Sequence, residues 1–456
     1  MPFSNPVKRL SRGLLGNFGA QSFALFVQLI CAILAVPIFS GLWGLEVYGI
    51  WLICFAVPSY LALVDLGYTG AVANEMTAQV AKGETGRARR LFRQLTGATI
   101  AGLFAVFCLM ALLLNSFGER WLNFAADATD GEASNLMIAL VAYSLTGMAT
   151  RAIFTALRAT GHYAIGSYVV GGTALLNVLL ACGLALAGAG LLGAALGYAI
   201  GEMVGLITML ALKRRYAPDF HVACLPEGIS SLAGLNTAAI ALFAVAIGQA
   251  MLLQGSVIAL GAAAGAAAVP AFVAARTLAR FGIQMVAVFN LALMPEITMA
   301  AAREDRERSS DLVALNLVFA LAILVPGSLL LALFGSEVIE LWSGGVIHAS
   351  PSLIVVMAGV MLAGGLWSPM ASFLTARNRQ DQYAFALLVL SALGVALTFS
   401  LAGKFGASGA ALSILAVDIV LLGWTFNRAG KSRFFDAHSL RAAPARAGKF
   451  ILSRLR

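Results

Sequence analysis

Two arginines, Arg276 and Arg280, stand four residues apart in the otherwise apolar run AFVAARTLARFGIQMVAVFNLALM (271–294). Helical spacing puts both on one face, and Gln284 continues the stripe until the apolar Ala287 and Leu291 end it. A guanidinium carries planar donors that can hold two oxygens of one phosphate. The pair therefore reads as a dicationic site for a diphosphate. The competing reading is a structural pair satisfying carbonyls or acids of neighbouring helices. An arginine in hydrocarbon costs about 2.5–3.5 kcal/mol on insertion scales, so one of these roles must exist.

Other polar residues also fall inside long apolar stretches. Glu202 and Asp418 sit near the middle of two of them. They read as coupling-ion or proton sites, as counter-charges to the arginines, or as protonated acids hydrogen-bonded between helices. Asn17, Gln21 and Gln28 share one face of the first stretch, within about 40° at roughly 100° per residue. They either line a cavity or make interhelical hydrogen bonds. Gln249 and Gln254 are weaker versions of the same case. Asp65 and Arg151 sit at stretch ends. Arg151 can snorkel to the interface. Asp65 is near a helix C-terminus, where the dipole disfavours an acid. A gate-closing ion pair is the functional reading of these two.

The elements that must position these residues are membrane helices. Charged residues are only 11% of the chain and mean hydropathy is +0.90, against about a quarter charged in a soluble domain. Twelve spans of about 20 residues or more are legible: 17–40, 45–67, 92–115, 135–157, 164–187, 190–212, 231–255, 266–294, 310–334, 350–374, 382–402 and 407–427. The expected fold is an all-α polytopic membrane protein. Pro58, Pro326 and Pro369 are candidate kinks.

Of the 30 Lys and Arg, 26 fall on one side of this topology, two on the other (Arg120 and Lys404) and two inside a span. Positive residues stay cytoplasmic, so both termini are expected there. The net charge of +9 is then orientation charge whose partners are membrane lipids, not nucleic acid. The five cysteines suggest neither a disulfide nor a metal site. No P-loop or metal motif is present, and the short external loops carry one histidine, His348. Both features go against an ATP-driven pump and a membrane enzyme, and no cofactor is expected. The tail after Phe426 is basic with a few apolar residues, suited to the membrane surface or to solvent.

The chain reads as a duplicated six-helix unit. At a shift of 221, residues 74–92 overlie 295–313, matching Glu75/Glu296, Thr77/Thr298, Ala81/Ala302, Arg87/Arg308 and Leu91/Leu312. At a shift of 216 the sixth span overlies the twelfth, matching Gly190/Gly406 and Gly193/Gly409 and setting Glu202 on Asp418. An even number of spans per half makes the repeat parallel, with a pseudo-two-fold axis along the membrane normal. The expected organisation is an N-terminal lobe (1–212), a cytoplasmic linker (213–230), a C-terminal lobe (231–428) and a basic tail (429–456). Parallel-repeat transporters bind substrate between their halves and work by alternating access.

The N-terminal part has an early Asn17, Pro37 near the end of the first helix, YGIW (48–51), LALVDLG (61–67) and AKGE (81–84). These short motifs resemble the polysaccharide-transporter branch of the multidrug/oligosaccharidyl-lipid/polysaccharide (MOP) exporter superfamily, the Wzx-type flippases. The resemblance implies a MATE-like fold. It also implies movement of an undecaprenyl-diphosphate-linked oligosaccharide from the inner to the outer leaflet of the bacterial cytoplasmic membrane. Arg276 and Arg280 would then take the diphosphate, Asn17, Gln21 and Gln28 would contact sugar hydroxyls, and Gln284 would be a further polar residue of the cavity. Polysaccharide polymerase and co-polymerase proteins would be further partners, and H+ or Na+ the coupling ion. The alternative within the superfamily is a proton- or sodium-coupled drug or cation antiporter. That reading wants acids in its cavity; the first span has none, though Glu202 and Asp418 keep it open.

Overall fold

A computed structural model describes residues 6–121, 133–223, 237–303, 305–377 and 379–431; side chains at some helical positions, Asn17, Gln21 and Asp65 among them, lie outside the described set. The described residues are helical, with no strand among them. They fall into two compact units, Met1–Leu235 and Asn236–Arg456.

The first unit contains α1 (Pro6–Ala81), α2 (Thr85–Trp121), α3 (Ala133–Ala159), α4 (Tyr163–Leu186) and α5 (Gly190–Tyr216). The second contains α6 (Thr237–Ala250), a π turn (Met251–Gly255) running into α7 (Ser256–Ala264), then α8 (Val269–Ala302), α9 (Arg306–Trp342), α10 (Pro351–Ala376) and α11 (Asp381–Gly430). Ten helices among the described residues are long and apolar enough to cross a membrane, and the protein is a multi-pass membrane protein.

Two of the ten are too long for one crossing. The 76 residues of α1 would reach about 114 Å at 1.5 Å per residue, against a hydrocarbon core about 30 Å thick. Each rod is broken at one glycine with non-helical dihedrals: Gly44 (φ 69, ψ −179) in α1 and Gly406 (φ 55, ψ −136) in α11. Counting each as two spans gives six per unit. Pro58 lies inside α1, whose break is at Gly44, whereas Pro326 and Pro369 lie inside α9 and α10, which hold no residue with non-helical dihedrals.

The duplication extends to the backbone. Gly44 and Gly265 are related by the shift of 221, and Gly265 (φ 85, ψ 161) shares the glycine-only region that Gly44 occupies. Gly190 and Gly406, related by 216, both have positive φ, 61 and 55. Side chains with a Cβ are strained there, so the glycines mark the turns between spans in both halves.

Small residues let the helices approach closely. Gly197, Gly201 and Gly205 form a ridge on α5 that faces Ala181, Asn177 and Thr173 on α4; a Cβ at Gly197 would lie 2.6 Å from the Ala181 nitrogen. The last turn of α5 contains Lys213, Arg214 and Arg215, favourable charges for a helix C-terminus. In the second unit α10 packs against α8, α9 and α11. Side chains cap two helices there: Asp305 accepts from Arg308 N at 3.0 Å, and Ser350 accepts from Leu353 N at 3.3 Å.

Candidate functional site

The second unit encloses a cavity of about 350 Å³, walled by α6, the π turn, α8, α10 and α11. The arginine stripe lies along it: Arg276, Arg280, Gln284 and Ala287 all line the wall, as helical spacing predicts. Asp418 of α11 and Trp367 of α10 line the same space.

The two arginines are not equivalent. Arg276 Nη1 donates to the Leu253 carbonyl and lies 3.3 Å from Ser256 Oγ. Its guanidinium also sits 5.2 Å from the centroid of the Phe272 ring. Leu253 belongs to the π turn Met251–Gly255, where the regular helical bonding register is interrupted. Arg276 thus ties the seventh span to the eighth. Arg280, one turn on, makes no hydrogen bond with another described residue and stands within electrostatic reach of Asp418, which lines the same cavity.

Asp418 is 4% exposed and accepts a hydrogen bond from Trp367 Nε1 at 3.1 Å. Its other oxygen packs over Gly364, where an added Cβ would lie 3.1 Å away. Tyr383 completes this wall: its ring centroid is 6.3 Å from that of Trp367, and its hydroxyl is 3.1 Å from Thr375 Oγ1. Gln249 lines the cavity, whereas Gln254 lies in the π turn outside its wall.

The acid of the first unit has a related setting. Glu202 on α5 accepts from Asn177 Nδ2 at 2.8 Å and hydrogen-bonds with Thr150. A Cβ at Gly147 would lie 3.4 Å from both Glu202 Oε1 and Arg151 Nη1. Gly147 and Gly364 are related by a shift of 217, as are Thr150 and Trp367, each hydrogen-bonded with the acid of its own unit. In both units an acid on the last span packs over a glycine of the fourth span and makes a hydrogen bond three residues further along it.

Of the remaining expected site residues, Arg151 stands beside Glu202 on α3. Its expected partner Asp65 lies outside the described side chains, as do Asn17 and Gln21. Gln28 is exposed on α1. Trp367, Tyr383, Asn177 and Thr150 were not read as site residues. A shift of 217 in the fourth spans, one more than the 216 relating Glu202 to Asp418, is the signal that finds Thr150 and Trp367.

The fold is that of MOP-superfamily transporters. A multidrug resistance MATE family transporter of that superfamily, inward-facing, superposes with a TM-score of 0.70 at 14% identity, covering 92% of this chain and 99% of its own. The lipid II flippase MurJ, inward closed, gives 0.71 at 12% identity, covering 96% and 91%. A MOP-superfamily transporter from Pyrococcus furiosus, noted for the reverse polarity of its binding pocket, gives 0.61 at 12% identity, covering 94% and 96%. No protein-family model matches the chain, and neither does any curated protein sequence.

Proposed function

We propose that the protein is a flippase for an undecaprenyl-diphosphate-linked oligosaccharide, such as an O-antigen, capsule or exopolysaccharide repeat unit. The observation that carries this reading is the arginine wall of the cavity. Arg280 lines it without a hydrogen bond among the described residues, and Arg276 lies one turn away. Such a wall suits a diphosphate. The one acid of the cavity, Asp418, is engaged by Trp367. That arrangement favours an anionic head over the cationic drug of an antiporter.

The proposed setting is the bacterial cytoplasmic membrane with both termini inside, in keeping with the positive-inside bias. The membrane potential assists outward movement of the anionic head, by about 2.3 kcal/mol per charge per 100 mV. Glu202 is the proposed site of a coupling proton or sodium ion. Asn177, which donates to it, has a buried Oδ1 with no hydrogen-bond partner among the described residues.

Reconstitution in proteoliposomes with a short undecaprenyl-diphosphate oligosaccharide tests the reading, with glycan exposure followed by an external glycosidase. Protein-dependent flipping that falls in the Arg276→Ala/Arg280→Ala double variant is expected. Wild-type flipping by a folded double variant overturns the site. No flipping, with proton-coupled efflux of ethidium from the same vesicles, moves the protein to the antiporters.

A further inference from the structure

We propose that Trp367, fixed by Asp418, is the platform for the sugar joined to the diphosphate, so that this cavity recognises a sugar-1-diphosphate head rather than a bare phosphate or a whole glycan. The inference rests on the diphosphate reading of Arg276 and Arg280.

Three observations carry it. First, the indole has one polar atom, and Asp418 Oδ1 already accepts from it at 3.1 Å. What Trp367 adds to the cavity is therefore ring surface, and Tyr383 beside it has its hydroxyl likewise engaged by Thr375. An aromatic face carries negative quadrupole charge, which suits the polarised C–H bonds on one face of a pyranose ring. Secondly, the platform shares its wall with the cations. Trp367, Arg276 and Arg280 line one cavity, as the short covalent link between a sugar and its diphosphate requires. Thirdly, the volume is small. At about 350 Å³ the cavity lies at the lower end of the range for small-molecule pockets, roughly 300–1,000 Å³. A diphosphate with its first sugar suits it; a several-sugar repeat unit does not.

Asp418 is then a positioning residue, acting on the sugar through Trp367. Asparagine keeps a side-chain oxygen to accept the indole N–H, whereas leucine does not. A carboxylate needed for ion coupling would not survive either change.

The test compares two probes on the full-length protein in nanodiscs: citronellyl diphosphate, and citronellyl diphosphate carrying one of a small panel of hexoses or N-acetylhexosamines. Wild type should bind at least one sugar probe about 2- to 10-fold more tightly than the bare diphosphate. Trp367→Ala should erase that margin, read as the ratio of the two affinities within the variant, and Trp367→Phe should keep part of it. Asp418→Asn should preserve the margin, and Asp418→Leu should lose it. A wild type that binds the diphosphate with no sugar preference, or a Trp367→Ala variant that keeps the margin, overturns the platform while the diphosphate site stands. Binding of neither probe by wild type overturns both.

Discussion

Substituting the two arginines one at a time should give opposite profiles. Arg276 donates to the carbonyl of Leu253, in the π turn, and Arg280 has no described hydrogen bond. Removing Arg276 takes a charged donor from the Leu253 carbonyl, which then keeps only the weaker contact from Ser256 Oγ at 3.3 Å, at a cost of about 1–3 kcal/mol. For a unit of this size one kcal/mol moves Tm by about 2–4 °C. Arg276→Ala should therefore melt roughly 2–12 °C below wild type. Arg280→Ala gives up no hydrogen bond, only the attraction between its guanidinium and the Asp418 carboxylate, and should melt closer to wild type than Arg276→Ala. Binding should follow the reverse order. A hydrogen bond to a charged group contributes about 1.5–3 kcal/mol, so losing a two-oxygen contact at Arg280 removes at least about 3 kcal/mol, more than 100-fold in Kd. Arg276→Ala should weaken binding less, because that guanidinium is already engaged. Nanodisc-embedded variants melted by intrinsic fluorescence and titrated with citronellyl diphosphate would show the difference. Equal thermal losses in the two variants, or full diphosphate affinity in Arg280→Ala, would refute the division of roles.

Three further predictions concern other parts of the molecule. Gly197→Leu should destabilise the first unit by about 1–3 kcal/mol or more, seen as loss of folded protein in detergent gel filtration, because even a Cβ there would lie 2.6 Å from the Ala181 backbone. Glu202→Gln should leave potential-driven flipping in proteoliposomes intact but abolish its response to an imposed pH gradient; an undiminished response would remove Glu202 from the coupling role. Asp219→Asn breaks the exposed 2.7 Å pair with Arg89 and should change stability by less than about 1 kcal/mol, because solvent screens such pairs; a larger fall in Tm would show that the ion pair holds α2 in place.

How much of this was legible depended on the range of the interaction. The arginine stripe was, because its geometry is internal to one helix: Arg276, Arg280 and Gln284 share a face whatever packs against it. The twelve spans were legible from hydropathy, since the bilayer sets their length. The division of labour between the arginines was not, because it turns on a π turn in another helix that brings the Leu253 carbonyl to Arg276. Trp367 was missed for a similar reason. An indole inside an apolar span reads as ordinary packing until Asp418, far along the chain, is seen to take its N–H. Arg151 is paired with Asp65 from depth alone; that its guanidinium stands beside Glu202 depends on how α3 meets α5.

The paired acids show how one scaffold can carry two chemistries. In each unit the last span sets an acid over a glycine of the fourth span, where a larger side chain would crowd the carboxylate. The residue three positions beyond that glycine hydrogen-bonds with the acid, Thr150 in one unit and Trp367 in the other. What differs is the surroundings. Glu202 meets Asn177 and Arg151, which hold the carboxylate among polar groups of its own unit. Asp418 meets a bulky indole, and the space beside it is a cavity lined by Arg276 and Arg280. Replacing a small hydroxyl with an indole keeps the hydrogen bond and adds a broad apolar face. Duplication supplied two copies of one acid-on-glycine joint. The two copies differ three positions beyond the glycine, where Trp367 gives the second a broad ring beside the cavity and Thr150 leaves the first a compact polar setting.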